Sequence, residues 1–124
     1  MFVHLYADRD SVRFFQPEVS SRGLEKWRRQ DAFPNPVAVV DPRLQAYIVL
    51  DGTHRSFIEL REREEHGMML DVCVTLEDIT RYAPSNGVCG RVQYEAEQFL
   101  RKSSENPHYY RKFPLVDGLR INES

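Results

Sequence analysis

Several features that would limit the class of protein are scarce in this sequence. It has two cysteines, Cys73 and Cys89, and their context fits neither a zinc site nor a disulfide framework. No apolar run approaches the roughly 20 residues that span a bilayer. Residues 1–10 contain no cationic stretch followed by an apolar core. We therefore expect a cytoplasmic protein with no signal peptide and no membrane partner.

An excess of charge is also missing. The net charge is -2, which argues against a molecule built to coat nucleic acid over its whole surface. Hydrophobic residues make up 41% and charged residues 29% of the chain, as in ordinary globular proteins. A length of 124 residues suits one hydrophobic core, so residues 1–124 are predicted to form a single domain.

The apolar pattern changes period along the chain, which predicts an α+β fold with a small mixed sheet and flanking helices. Ser20 or Ser21 is a candidate cap for a short helix that includes Trp27. Further strands and helices are predicted at 37–40 (strand), 46–50 (strand), 55–66 (helix), 70–76 (strand), 77–82 (helical turn) and 92–102 (helix). Residues 83–87 are predicted to be a loop, and Gly67 a helix C-cap.

The C-terminal residues 103–124 carry few strong signals. Tyr109, Tyr110 and Phe113 predict that this tail docks on the rest of the domain. The alternation of aromatic and basic residues from Tyr109 to Lys112 is also typical of nucleic-acid contacts. Docking is the favoured interpretation, and nucleic acid is the less favoured partner.

The segment 51–55, Asp-Gly-Thr-His-Arg, stands between a predicted strand and a predicted helix. The free N–H groups of a helix N-terminus attract anions, and Gly52 allows a phosphate to approach the backbone. Thr53 can cap the helix, while His54 and Arg55 add donors suited to phosphate oxygens. Asp51 could hold a magnesium ion or accept a proton. The alternative is a simple turn with a solvated arginine.

This arrangement resembles the ParB/sulfiredoxin superfamily, over about residues 37–76. Sulfiredoxins carry a cysteine before the His-Arg pair, where this chain has Thr53, so their repair chemistry is not expected. ParB proteins use a Gly-Glu-Arg-Arg type of motif and a DNA-binding domain that this sequence lacks. The motif is most similar to the Asp-Gly-His-His-Arg of the ADP-dependent free-serine kinase branch, which Asp51, Gly52, His54 and Arg55 match.

The resemblance implies a nucleotide-dependent phosphotransferase that acts on a small hydroxyl compound such as free serine. It implies ADP or ATP as the nucleotide and Mg²⁺ as the metal. Phosphates would bind at Gly52, Thr53, His54 and Arg55, and Asp51 would bind the metal or act as a base. The branch has a catalytic glutamate in a Pro-x-Glu-like segment, and Pro17 and Glu18 stand in a similar place.

Two alternatives remain open from the sequence. Glu18 could equally be a surface carboxylate, in which case the same turn would serve a nucleotide-binding module that transfers nothing. Such a module, or a nuclease, would belong to a DNA-partitioning or defence system. A kinase needs a base near the acceptor hydroxyl and a binding switch does not, so Glu18 is the residue that discriminates between them.

Overall fold

The computed structural model describes residues 3–43 and 45–123. Its strands are β1 (Val3–Asp8), β2 (Val12–Phe14), β3 (Glu18–Ser20), β4 (Val37–Val40), β5 (Tyr47–Asp51), β6 (Gly67–Cys73) and β7 (Arg120–Asn122). Its helices are α1 (Ser21–Arg28), α2 (Thr53–Phe57), α3 (Leu76–Ser85) and α4 (Gly90–Ser103). A π-helical turn, Ile58–Glu62, continues α2. Short 3₁₀ turns occur at Arg9–Ser11, Tyr109–Lys112 and Val116–Gly118.

Five strands form a mixed sheet in the order β1-β6-β4-β5-β2. The β1–β6 and β4–β5 pairs are antiparallel, whereas β4–β6 and β2–β5 are parallel. A second sheet joins β3 to β7 in parallel. The predicted α+β class is therefore confirmed. Among the helices in the described part of the chain, none combines the length and apolar character needed to cross a membrane.

Both faces of the central sheet are covered, and this explains the uninterrupted apolar run in β4. Ala38 and Val40 pack into a core with α1 and α2, which contribute Leu24 and Phe57. Val37 and Val39 point to the opposite core, against α3 and α4. A strand that is buried on both faces has no position for a polar side chain, so it loses the usual alternation.

The predicted cap of α1 is confirmed at Ser20, whose side chain accepts a hydrogen bond from the Gly23 N–H at 3.0 Å. On the helix that follows Gly52, Glu59 and Arg63 form an i,i+4 ion pair at 2.6 Å. Phe57, Ile58 and Leu60 form the buried apolar face of that helix.

The end of that helix was predicted wrongly. The helical conformation stops at Glu62, and Glu64 adopts the left-handed conformation with a φ of 53°. Gly67 is not a C-cap but the first residue of β6, opposite Asp8. A Cβ at Gly67 would lie 2.3 Å from the Ala7 carbonyl oxygen, so the close approach of the strands, and not a helix end, requires this glycine.

Two other predictions also need correction. α3 continues through residues 83–85, which were predicted as loop, because Ala83 is buried against α4. The predicted strand 70–76 ends at Cys73, and Leu76 begins α3.

The C-terminal segment lies against the body of the protein. Phe113, Val116 and Leu119 are buried, and β7 pairs with β3. Arg13 on β2 donates a hydrogen bond to the Phe113 carbonyl at 2.7 Å. These contacts connect the last residues of the chain to the strand that begins with Glu18.

Candidate functional site

The predicted strand, turn and helix around Gly52 are confirmed. β5 ends at Asp51, Gly52 has a φ of 105°, and α2 begins at Thr53. This φ favours glycine because other residues are strained there. Steric contacts also require glycine here, because a Cβ would lie 2.7 Å from the Pro36 Cβ and 2.8 Å from the Arg55 Nη2. The turn therefore accepts no side chain at position 52.

The loops that follow β2 and β5 meet at one edge of the sheet. The two strands are parallel, so their carboxyl ends, Phe14 and Asp51, lie on the same side. Thr53 Oγ1 donates a hydrogen bond to Gln16 Oε1 at 3.1 Å and joins the two loops. Gly52 occupies the N-cap position instead, so the predicted cap by Thr53 is wrong.

His54 is held against the first turn of α1. Its Nε2 accepts a hydrogen bond from the Ser20 N–H at 2.9 Å. A Cβ at Gly23 would lie 2.5 Å from the ring, so this glycine makes room for the imidazole. Burial lowers the pKa of His54, which favours the neutral ring with its proton on Nδ1. At neutral pH, His54 can therefore offer a donor but no charge.

Arg55 is buried and held by three groups. Its guanidinium lies 5.0 Å from the centre of the Trp27 ring. Its Nη1 donates to the Pro34 carbonyl at 3.0 Å, and its Nη2 is 3.6 Å from Asp51 Oδ1. This arrangement pre-organises the cation and removes it from bulk water, where its field would be screened. Arg55 is the permanent positive charge of the segment 51–55.

Asp51 joins this cluster to α3. The Tyr82 hydroxyl donates to Asp51 Oδ2 at 2.7 Å, and burial is the first cause of the raised pKa of Tyr82. Within residues 3–43 and 45–123, no group of three or more His, Cys, Asp or Glu side chains could hold a metal ion. Asp51 keeps 37% of its side chain exposed. One partly exposed carboxylate could supply a single ligand to a magnesium ion, but it does not form a metal site by itself.

Glu18 lies in a neighbouring groove of about 500 Å³, a volume that suits a small ligand. Its side chain is 47% exposed, and its Oε2 is 3.7 Å from the Arg120 Nη2. Charged walls of the groove also come from the start of α4 and from the tail, through Arg91, Glu95 and Lys112. Residues 51–55 do not line the groove. Gln16 does, and it also contacts Thr53.

The structure thus brings residues 51–55 together with partners that the sequence analysis did not identify as parts of the site. Each comes from a distant part of the chain, and no local pattern marks it. They are Gln16 for Thr53, Ser20 for His54, Trp27 for Arg55 and Tyr82 for Asp51.

Neither a known family model nor a curated protein matches this chain. Among solved structures, it is similar to the crystal structure of protein Atu1540 from Agrobacterium tumefaciens. The TM-score is 0.47 and the sequences are 13% identical. The match covers 71% of this chain and 50% of Atu1540, so this chain spans about half the length of that protein.

Proposed function

We propose that this protein is a nucleotide-dependent phosphotransferase of the ParB/sulfiredoxin type. It would move a phosphoryl group between ADP or ATP and a small hydroxyl compound such as free serine. The observation that carries this proposal is the meeting of the β2 and β5 loops beside a charged groove. Ligands of open sheets with parallel strands bind beyond the carboxyl ends of those strands.

The turn at Gly52 would receive the phosphates. The first backbone hydrogen bond of α2 runs from the Ser56 N–H to the Gly52 carbonyl at 2.9 Å. The earlier N–H groups have no partner within the helix and point toward its N-terminus. Arg55 would supply positive charge, and His54 a neutral donor at Nδ1. Phosphoryl transfer depends mainly on such positioning and charge stabilisation.

The acceptor hydroxyl would lie in the groove, where Glu18 would take its proton as it attacks the phosphoryl group. Gln16 contributes to the groove wall and accepts a hydrogen bond from Thr53, so it connects the two parts of the site. A magnesium ion shared by Asp51 and the nucleotide would neutralise charge on the phosphates.

Nucleotide binding can be tested by calorimetry with ADP and ATP, with and without magnesium. Arg55→Ala should weaken binding by about 1.5–3 kcal/mol, the range for hydrogen bonds to charged groups. The matched control is Arg61→Ala. Arg61 also donates to a backbone carbonyl, that of Leu119, and lies 4.9 Å from the Phe57 ring, but outside the site. Equal affinities of the two variants for nucleotide would contradict the proposed phosphate site.

Transfer can be followed by phosphorus NMR with nucleotide and a panel of small hydroxyl compounds. Glu18→Gln should preserve nucleotide affinity and slow transfer by roughly 10²–10⁴-fold, the usual contribution of a general base. Glu25→Gln is the matched control, because Glu25 is an exposed acid paired with Arg29 at 3.3 Å. Full activity of the Glu18→Gln protein would remove Glu18 from the mechanism.

A nucleotide-binding module that transfers nothing is the second candidate. It is favoured by the pairing of Glu18 with Arg120 at 3.7 Å, because an ion-paired surface carboxylate is the alternative to a catalytic base at position 18. This module predicts nucleotide binding that depends on Arg55, with no transfer to any hydroxyl compound. Unchanged nucleotide affinity in Glu18→Gln is expected under both candidates, so the transfer assay separates them.

A further inference from the structure

Four cations from β2, α4 and the tail lie around two tyrosine rings of the tail. Arg13 and Arg111 lie 5.1 Å and 5.8 Å from the Tyr110 ring centre. Lys102 and Lys112 lie 5.6 Å and 5.0 Å from the Tyr109 ring centre. Such contacts hold flexible cationic side chains near aromatic faces. We call the four cations the basic cluster: Arg13, Lys102, Arg111 and Lys112.

Most of the charge in the basic cluster is not neutralised by acids. Lys112 is 3.8 Å from Glu95. In the part of the chain that the structure describes, Lys102 and Arg111 form no ion pair. A hydrogen bond from Arg111 and the charges of Arg111 and Arg13 lower the pKa of Tyr110. The protein has a net charge of -2, so this positive surface is a local feature.

The surroundings of the basic cluster favour a phosphodiester chain over a membrane. Membrane-binding surfaces combine cations with apolar side chains that enter the lipid. Most exposed large apolar residues of the described chain lie on elements that carry no member of the cluster: Val3, Tyr6, Met69, Leu76 and Ile121. Tyr94, on α4 with Lys102, is the exception. Lys112 also lines the groove, where Arg91 is the other cation and Glu18 and Glu95 are the acids, so the positive surface is confined to the cluster.

We propose that the basic cluster binds single-stranded nucleic acid through its phosphates, without sequence preference. A flexible strand can bend over the two tyrosines to reach all four cations, whereas duplex DNA is stiff over about 150 base pairs. The tyrosine faces are covered by cations, so phosphate contacts rather than base stacking supply the affinity. This activity goes beyond the proposed phosphotransferase and does not require it.

The test is fluorescence anisotropy with a labelled oligothymidylate of about 12 nucleotides, within the usual site size of such proteins. The variant is Lys102→Gln with Arg111→Gln, both exposed and outside the groove lining. Two lost contacts at about 0.7 released counterions each should weaken binding about 25-fold at 0.1 M salt. The slope of log K against log salt should become about 1.4 less steep.

The matched control is Arg22→Gln with Arg29→Gln, which removes the same charge from two exposed positions, one on α1 and one directly after it. It should leave binding nearly unchanged, and Arg111→Lys should retain it because the charge is kept. Equal weakening by both double variants would reduce the effect to overall charge and overturn the proposal. The proposal would also be overturned if oligothymidylate did not bind. The same holds if the double variant weakened binding to phosphatidylserine vesicles as much as binding to oligothymidylate. Nucleotide calorimetry and the transfer assay are separate, so each proposal can fail alone.

Discussion

Gly23 offers a test in which helix propensity and tertiary structure predict opposite results. Gly23 lies in the first turn of α1. In a helix, replacing glycine by alanine stabilises the protein by about 0.5–1 kcal/mol when nothing else changes. Here an added Cβ would lie 2.5 Å from His54 Cδ2 and Nε2, and 2.9 Å from Ser20 Oγ. We therefore expect Gly23→Ala to destabilise the protein.

The magnitude follows from what must move. The His54 ring has to leave its position, which weakens the hydrogen bond from the Ser20 N–H at 2.9 Å. Overpacking of this kind costs about 1–3 kcal/mol. Subtracting the gain in helix propensity leaves a net loss of up to about 2.5 kcal/mol in the free energy of unfolding, with a middle value of about 1 kcal/mol.

Urea denaturation of a double-mutant cycle measures this effect. In a His54→Ala background the ring is absent and only the contact with Ser20 Oγ remains, so Gly23→Ala should cost much less or stabilise the protein, by at most about 0.5–1 kcal/mol. The coupling energy between the two positions should therefore be about 2 kcal/mol, within the range for residues in contact.

Gly90→Ala is the matched control, because Gly90 is also helical but nothing lies within 4 Å of the place that an added methyl group would take. It should cause no comparable loss. Two results together would refute the reasoning: a Gly23→Ala protein more stable than the parent, and a coupling energy near zero. They would mean that His54 does not dock on α1.

Three further predictions concern stability and reactivity. Gly52→Ala should lower the free energy of unfolding by about 1–3 kcal/mol through backbone strain. The loss should exceed that of Gly87→Ala, because Gly87 also has a positive φ but open space around it. Equal losses in urea denaturation would contradict this. Hydrogen bonds from Arg43, and also from Ser103, lower the pKa of buried Asp41, so its stabilisation is present above about pH 4 and is lost as the pH falls further. Asp41→Asn should flatten the fall in unfolding free energy below that pH, and an unchanged acid dependence would count against the Asp41 interactions. Burial raises the pKa of Cys73 to about 12, whereas Cys89 is exposed. A thiol reagent at pH 8 should therefore label Cys89 in the native protein and Cys73 only after unfolding. Mass spectrometry that found labelled Cys73 in the native protein would contradict this.

The sequence by itself determined those features that depend on neighbouring residues. The strand before Gly52, the turn and the helix after it follow from an apolar run, a glycine and a helical apolar face. The cap of α1 at Ser20 and the buried strand Val37–Val40 are local in the same sense. Each of these features results from the backbone preferences of its residues or from the spacing of apolar residues, and both can be read from a few neighbouring positions.

The local patterns failed where distant contacts overruled them. The chain at Gly67 resembles a helix end, but strand pairing with Asp8 places this glycine in β6. Ala83 precedes a proline and was predicted as loop, yet its burial against α4 keeps it helical. Packing energy collected across the fold exceeds the weak local preference for ending an element at such residues.

The surroundings of the candidate site were decided by the tertiary structure alone. The contacts of Thr53 with Gln16 and of Arg55 with Trp27 join segments that are far apart in the chain. They exist because β2 lies parallel to β5, which brings the loops at their carboxyl ends to one edge of the sheet. Strand order depends on how the whole chain buries its apolar faces, so a pattern that spans a few residues does not predict it.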